Sequence, residues 1–487
     1  MPFAADQRPA PLDRFRQGLG DADAVAQLNA GLVGKGATFE GPFGLREIVY
    51  ADYVASGRAV MQVERFILEE VLPFYANSHT EASFCGGHMT RLRREARGVI
   101  ARLCGAGADH AVIFTGSGAT AGINRLVNLF GVAAAVEAGK TVRVVIGPYE
   151  HHSNILAWRE AGAEVIEIPE GAEGGPDLAR LAEVLAVSRT VDLLLCSFSA
   201  ASNVTGIVTD VPAVTRLAKQ AGALVVWDYA GAGPYLPVRV RPHPDLAIDA
   251  IALSPHKFIG GPAASGVLIV RRDAVTATRP TWPGGGTVQF VSPWAHDYSD
   301  NLEAREEAGT PNVVGDIRAA LAFLVKDAIG ERFMRERNTE LTRRAFAAWS
   351  DIDAIDILGP ANAPRLPIFS FRVRDGNGGF VHQQLVTRML SDRFGIQARG
   401  GCACAGPYAH RLLSIDEEAS ETMRQAILSG DEIAKPGFTR LNFSVLFPDD
   451  QVDFILASVA QLARDITAYL PLYDFDPTRA IFHPRAA

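Results

Sequence analysis

Between residues 111 and 270 seven short apolar runs recur, most of them separated by stretches with helical periodicity. They are Ala111–Phe114, Val142–Ile146, Val165–Ile168, Val191–Phe198, Ala223–Trp227, Ile248–Leu253 and Gly266–Val270. Runs this short, continuous in polarity and bounded by turn residues, predict strands buried on both faces. The segments between them carry apolar residues three and four apart, as Ile123, Leu126, Val127 and Phe130 do. That rhythm predicts an α/β fold with a mostly parallel seven-stranded sheet covered by helices.

The same rhythm places chemistry, because ligands of open α/β sheets gather at the carboxyl ends of the strands. The first run leads into Thr115-Gly-Ser-Gly118-Ala119-Thr120-Ala-Gly122, which opens a helix. Backbone N–H groups there, with the Thr120 hydroxyl, suit a phosphate. The string also fits the dinucleotide pattern G-x-G-x-x-A, but the acid at the matching offset, Glu137, precedes the next strand. The second run leads to Glu150-His151-His152-Ser-Asn154, which offers an imidazole to stack on a planar ring or a helix cap. A later turn, Ser202-Asn203-Val-Thr-Gly206, offers an amide. Trp227 is followed by Asp228, a carboxylate that is costly to bury unpaired and able to hold a proton on a pyridine nitrogen. Leu253-Ser254-Pro-His256-Lys257-Phe-Ile-Gly-Gly-Pro262 then sets a lysine with no acidic sequence neighbour at the rim of the sheet. Burial disfavours its charged form, and a neutral amine attacks an aldehyde to give a Schiff base. Phosphate, ring, ring nitrogen and aldehyde together describe pyridoxal 5′-phosphate.

Outside this stretch the pattern changes. Residues 1–46 read as an arm with one helical candidate, Asp21–Leu32, followed by a short strand in Ile48–Val54 and helices over 59–75 and 88–103. Beyond 310 come two long helices, Ile317–Ile329 and 331–350, and strand Ile368–Val373. A helix at 382–393, a Gly/Cys turn at 399–407, a polar stretch 413–438, strand Arg440–Leu446 and a helix at 449–468 complete the chain. The expected organisation is an arm (1–46), a large cofactor-binding domain (47–315) and a smaller α+β domain (316–487). A net charge of −8 without a Lys/Arg run argues against nucleic acid or an anionic membrane as partner. No uninterrupted apolar run approaches the roughly 20 residues of a membrane span, and Met1-Pro-Phe-Ala-Ala is not the start of a secretory signal. The five cysteines are odd in number and scattered, which favours a reducing compartment, by default the cytoplasm.

These motifs resemble the class V aminotransferase superfamily of fold type I pyridoxal-phosphate enzymes, and within it the cysteine desulfurase and selenocysteine lyase group. The similarity runs from about Tyr50 to Ala468. Ser254-Pro-His256-Lys257 resembles the Ser-x-His-Lys signature, which implies Lys257 as the Schiff-base lysine. Glu150–Asn154 resembles Glu-His-His-Ala-Asn, which implies His151 on the ring. Gly118-Ala119-Thr120-Ala-Gly-Ile-Asn124 and Ser202–Gly206 imply Thr120 and Asn203 as cofactor contacts. Glu307-Ala-Gly-Thr310-Pro-Asn312 matches a family string whose Thr reaches the neighbouring subunit's phosphate, which implies a homodimer with shared sites. His79 and Arg440 stand where the family has substrate-contacting residues. Arg399-Gly-Gly-Cys402-Ala-Cys404-Ala-Gly-Pro407 resembles the loop that bears the catalytic cysteine, with Cys404 in that place, Arg399 five residues before it and Cys402 extra. Departures are Gly231, where the family has a glutamine on the cofactor ring oxygen, and Ala119, where it has a phosphate-contacting Thr.

The resemblance implies an enzyme acting on an amino acid, foremost a cysteine desulfurase-like carbon–sulfur lyase with a sulfur-acceptor partner. The alternative is an aminotransferase, epimerase or β-eliminating lyase without nucleophilic Cys404. A Rossmann-type oxidoreductase and a non-enzymatic thiol or metal carrier are the competing classes. The late Gly-rich loop disfavours the first, and the lack of a second thiol pair disfavours the second. Gly400 and Gly401 suggest a mobile loop, in which extended backbone would point Cys402 and Cys404 to one side.

Overall fold

The computed structural model describes residues 9–77, 81–476 and 479–485. The seven runs form one sheet in the order 110–116, 266–271, 250–253, 224–228, 193–199, 142–146, 164–167. All pairings are parallel except those of Gly266–Arg271, which runs antiparallel to both neighbours. Side-chain alternation divides the strands between two cores. Ile113, Val144, Leu195, Val226 and Leu268 face one way, with Ile123, Leu126 and Leu129 of helix Gly118–Leu129 and Trp158. Val112, Val145, Cys196, Val225, Trp227 and Ile269 face helices Phe84–Cys104, Val211–Gln220 and Val313–Ile329. Both faces are dry, which is why the runs are continuous in sequence.

Gly118–Glu137, at mean hydropathy 1.3, is long and apolar enough to cross a membrane by length and composition. It is broken by left-handed Gly131 (φ 68°) and packs its apolar face on the sheet, so it reads as a core helix pair.

The second core is built on an antiparallel sheet ordered 355–357, 368–373, 438–442, 399–401. Trp349 stands among the rings of Phe369, Phe371 and Phe443 and donates its indole N–H to the Leu456 carbonyl at 3.1 Å.

Four features differ from the sequence reading. Helix Val313–Ile329 belongs to the first core and Leu341, Ala345 and Trp349 to the second, so the divide falls past Gly330 (φ 85°) rather than at 315. The arm is packed, with Leu12, Leu19, Ala24 and Leu28 at most 2% exposed. The strand expected over Ile48–Val54 shrinks to Val49–Tyr50, which pairs with Ile396–Gln397 and places Val49, Ala51 and Tyr53 in the second core. The polar stretch after 413 contains a helix, Glu417–Leu428, capped by Asp416 and without a buried residue.

Glu307 ties the sheet to its covering helix. Its carboxylate accepts from Arg93 at 2.5 Å, from Arg97 twice at 2.8 Å and from the Phe114 amide at 2.8 Å. It thereby fixes the end of strand His110–Gly116, from which the phosphate-type loop departs. Glu307→Ala takes the ion-pair partner from half-buried Arg97, leaves Arg93 with Asp316 alone and should lower stability by about 3 kcal/mol. Urea unfolding measures it, and a loss below about 1 kcal/mol would contradict the role.

Candidate active site

At the carboxyl edge of the sheet lies a cavity of about 260 Å³. Ala119, Thr120, His151, Asn203, Asp228, Ser254, His256 and Lys257 all line it, although 138 residues separate the first from the last. Gly118 is just behind. A Cβ there would stand 2.7 Å from Ser254 Oγ and 2.8 Å from His256, and its φ is +64°, so only glycine lets the helix start this close to the lysine turn.

Lys257 closes a single helical turn, Pro255–Lys257, and its amine has no hydrogen-bond partner among the described residues. Burial lowers its pKa, against the pull of the Asp228 carboxylate. Burial raises the Asp228 pKa, and the one hydrogen bond to that carboxylate among the described residues comes from the Ala230 amide at 2.7 Å. Behind them Glu150, pushed up to about 7 by burial, accepts from the Ser199 amide and hydroxyl (2.8 and 2.6 Å) and from Asn154 (2.6 Å).

Burial and the Lys257 charge push His151 down to about 4, so its ring is neutral above that pH. Its Nδ1 accepts from the Ser153 amide at 3.1 Å, which assigns the ring proton to Nε2. The Ser153 hydroxyl lies 2.7 Å from Thr120 Oγ1, and the Ala119 amide donates to Ser254 Oγ at 2.9 Å. The edge therefore presents hydroxyls at a helix N-terminus, a flat neutral ring, a carboxylate with open valence and an unbonded amine. A phosphorylated pyridine aldehyde fits each of these. Gly231 lines the cavity with only ordinary contacts around a Cβ position, so its side of the ring site is open.

The thiol loop meets this cavity from the small sheet. Residues 399–401 are a strand paired with Phe438–Asn442, not a mobile hinge. A Cβ on Gly400 would lie 2.9–3.0 Å from Gln384, Gln383 and Thr387, so glycine is there for close packing. The backbone then turns tightly. Ala405 N donates to the Cys402 carbonyl at 3.1 Å, and Ala403 (φ 53°) and Cys404 (φ 55°) are both left-handed. The two thiols therefore do not sit on extended backbone. Large-domain groups pin the turn: Asn203 Nδ2 donates to the Ala403 carbonyl at 2.8 Å, and His152 N to the Cys404 carbonyl at 2.8 Å. Gly406 N donates to His152 Nε2 at 2.9 Å. Cys404 is exposed and Cys402 partly buried.

Arg399 and Arg440 are cross-strand partners that share one carboxylate missed in the sequence reading. Asp52 accepts from Arg399 Nε at 2.8 Å and from Arg440 at 2.9 Å, and Arg440 also donates to the Asn203 carbonyl at 2.9 Å. Arg399 keeps both terminal nitrogens unbonded among the described residues, while Arg440 is 4% exposed. An acid ending the run Val49-Tyr-Ala-Asp52 was the available signal, but its partners lie 347 and 388 residues away. Ser153 and Ser199 were likewise missed as cavity residues. Thr310 is exposed and outside this cavity, and His79 lies outside the described residues.

A buried lysine and carboxylate facing one cavity at the strand ends of a two-domain α/β chain define the class of pyridoxal-phosphate enzymes of fold type I. The chain belongs to the class-V aminotransferase family, whose model matches residues 49–431. It is 30% identical over 387 residues, covering 79% of this chain and 90% of the other, to a probable cysteine desulfurase of Methanothermobacter thermautotrophicus. It is 29% identical over 371 residues (75% and 85%) to a probable cysteine desulfurase of Streptomyces coelicolor. Its fold is that of a cysteine desulfurase from Escherichia coli (TM-score 0.71, 22% identity, 91% of this chain and 98% of the other). A cysteine desulfurase from Thermococcus onnurineus is similar too (TM-score 0.71, 24% identity, 86% and 95%).

The depressed pKa of His151 makes a stability prediction. The unfolded histidine takes its proton near 6.5 and the folded one near 4, so the unfolded state binds more protons between those values. Stability should fall as pH drops from 6.5 towards 4, by at most about 3 kcal/mol from this residue. His151→Phe should flatten that part of a plot of urea midpoint against pH, and an unchanged slope would count against it.

Proposed function

We propose that this chain removes the sulfur of a cysteine-like amino acid, using pyridoxal phosphate held by Lys257 and Cys404 as the receiving thiol. The observation that carries this reading is the thiol turn pinned by His152 and Asn203 at the edge of the lysine cavity. Bound there, pyridoxal phosphate supplies an electron sink for charge developing at the substrate α-carbon. Asp228 would hold a proton at the ring nitrogen, and His151, neutral and flat, would stack on the ring. Ser117, Thr120, Ser254 and His256 would hold the phosphate end, with Gly118 and Ala119 opening the helix beside it. Lys257, its amine biased towards the neutral form, moves the proton at the α-carbon. Arg440 and the free nitrogens of Arg399 supply positive charge for the substrate carboxylate. The Cys404 thiolate takes the substrate Sγ as the carbon–sulfur bond breaks. All five cysteines are free thiols, in keeping with a reducing cytoplasm.

Lys257→Ala should lose the yellow absorbance and all turnover. Cys404→Ser should keep the absorbance and lose at least about 100-fold in sulfide release from cysteine, the lower range for a removed catalytic group. Undiminished turnover in Cys404→Ser, or a wild type that ignores cysteine while transaminating another amino acid, would move the chain to the thiol-independent reading.

The active unit in this reading is a homodimer. Gly309 N donates to the Gly285 carbonyl at 2.8 Å, which ties Thr310 to a segment with strongly exposed Trp282, Phe290, Val291 and Trp294, the last 90% exposed. Apolar surface of this kind beside Thr310 supports a covering second copy. Sedimentation of Trp294→Asp should show a shift towards monomer with lower cofactor occupancy. A fully occupied monomeric wild type would rule the dimer out.

A further inference from the structure

We propose that Cys402 is the resolving thiol for sulfur carried on Cys404, so that the chain discharges hydrosulfide and itself passes through a Cys402–Cys404 disulfide. The proposal rests on the desulfurase reading above and names the first sulfur acceptor within it.

The backbone sets the two thiols up for this. Left-handed Ala403 between them curls the chain, bringing the 402 and 404 Cα atoms closer than the roughly 6.6 Å of two residues in an extended strand. A disulfide spans about 4.4–6.8 Å between Cα atoms. Two successive non-glycine residues at positive φ cost about 1–2 kcal/mol each. The turn persists because Asn203, His152 and the Ala405 amide hold its carbonyls. Strain kept in place by outside contacts is characteristic of a working segment.

The thiols also differ in surroundings. Cys404 is exposed and its carbonyl is held by the amide next to His151 of the cavity, so it is the one that meets substrate sulfur. Cys402 is half-buried against the cluster of Tyr149, Tyr408 and Phe438. It is less exposed than Cys404 and lies two residues from the sulfur that Cys404 receives.

The step balances without an external oxidant. The Cys402 thiolate attacks Sγ of the Cys404 persulfide, the Sγ402–Sγ404 bond forms and the bond from Sγ404 to the terminal sulfur breaks. The terminal sulfur leaves with the electron pair as hydrosulfide, taking up the proton that Cys402 gave up. That sulfur is reduced, and the two thiols are oxidised to one disulfide. A dithiol reductant returns the pair to thiols, and the strain of so short a loop makes the disulfide easy to reduce.

The test uses reduced, desalted holoenzyme given no more than one equivalent of cysteine per site and no other thiol, then alkylated and mapped through the peptide Gly400–Arg411. Wild type should release one hydrosulfide per site and leave this peptide unalkylated, two hydrogens lighter than its dithiol form. Cys402→Ser should release none and carry one extra sulfur on Cys404. Wild type that halts at the Cys404 persulfide with Cys402 alkylated overturns the proposal while leaving the desulfurase reading intact. If neither protein takes sulfur from cysteine, that reading fails instead, and a second probe decides the thiol pair. An aromatic disulfide such as dithionitrobenzoate should form a lasting adduct on Cys404 only in Cys402→Ser, because in wild type Cys402 displaces the aryl thiol. A lasting adduct in both overturns the resolving role.

Discussion

Two opposite charges enclosed in one small volume, the Lys257 amine and the Asp228 carboxylate, set the terms for the rest of the structure. Each is pushed towards neutrality by burial, and each is partly restored by the other. Neither is saturated with hydrogen bonds, so the pair is an incomplete site and not a closed ion pair. Holding them this way requires dry walls on both sheet faces, which the two cores of the large domain provide. It also requires strand ends in strict register. Ser199 lies opposite Asp228 in the pairing of neighbouring strands, and Glu150 clasps Ser199 from the next strand end.

The site is completed by groups that belong to neither of those strands. Asp52, close to the start of the second core, joins Arg399 and Arg440 of the small sheet, and Asn203 of the large domain receives Arg440 in turn. Four segments distant in sequence thereby share one charged network around the mouth of the cavity. Charge-assisted bonds of this type are directional as well as strong, so the network fixes how the small domain presents its thiol turn. The same turn uses left-handed backbone at Ala403 and Cys404, a conformation that pays its steric cost only because His152 and Asn203 grip it from the other domain.

Much of this was legible in advance. Strand ends announce themselves as apolar runs followed by polar residues, so Thr120, His151, Asp228 and Lys257 could be placed at one edge before any coordinates. The role of Glu307 was only half visible. Its motif suggested an intersubunit Thr310, whereas the carboxylate itself anchors Arg93, Arg97 and the Phe114 amide within the chain. Gly400 read as looseness and turned out to be close packing, whereas Gly401 has open space around it and serves a positive φ of 126°, because a glycine has the same letter whether it frees the backbone or admits a neighbour. The surface helix Glu417–Leu428 was hidden by its lack of any buried stripe.

The sequence by itself determined the fold class, the strands of the large sheet, and the cofactor-type residues at their ends. Those follow from local periodicity and from the rule that polar groups cluster where buried strands emerge. Only the tertiary structure decided that Asp52 clamps both arginines, that helix Val313–Ile329 belongs to the large core and that the two thiols share a pinned left-handed turn. Each of these depends on contacts between segments far apart in the chain, or on backbone angles that such contacts hold against their local preference, and neither leaves a mark in local residue order.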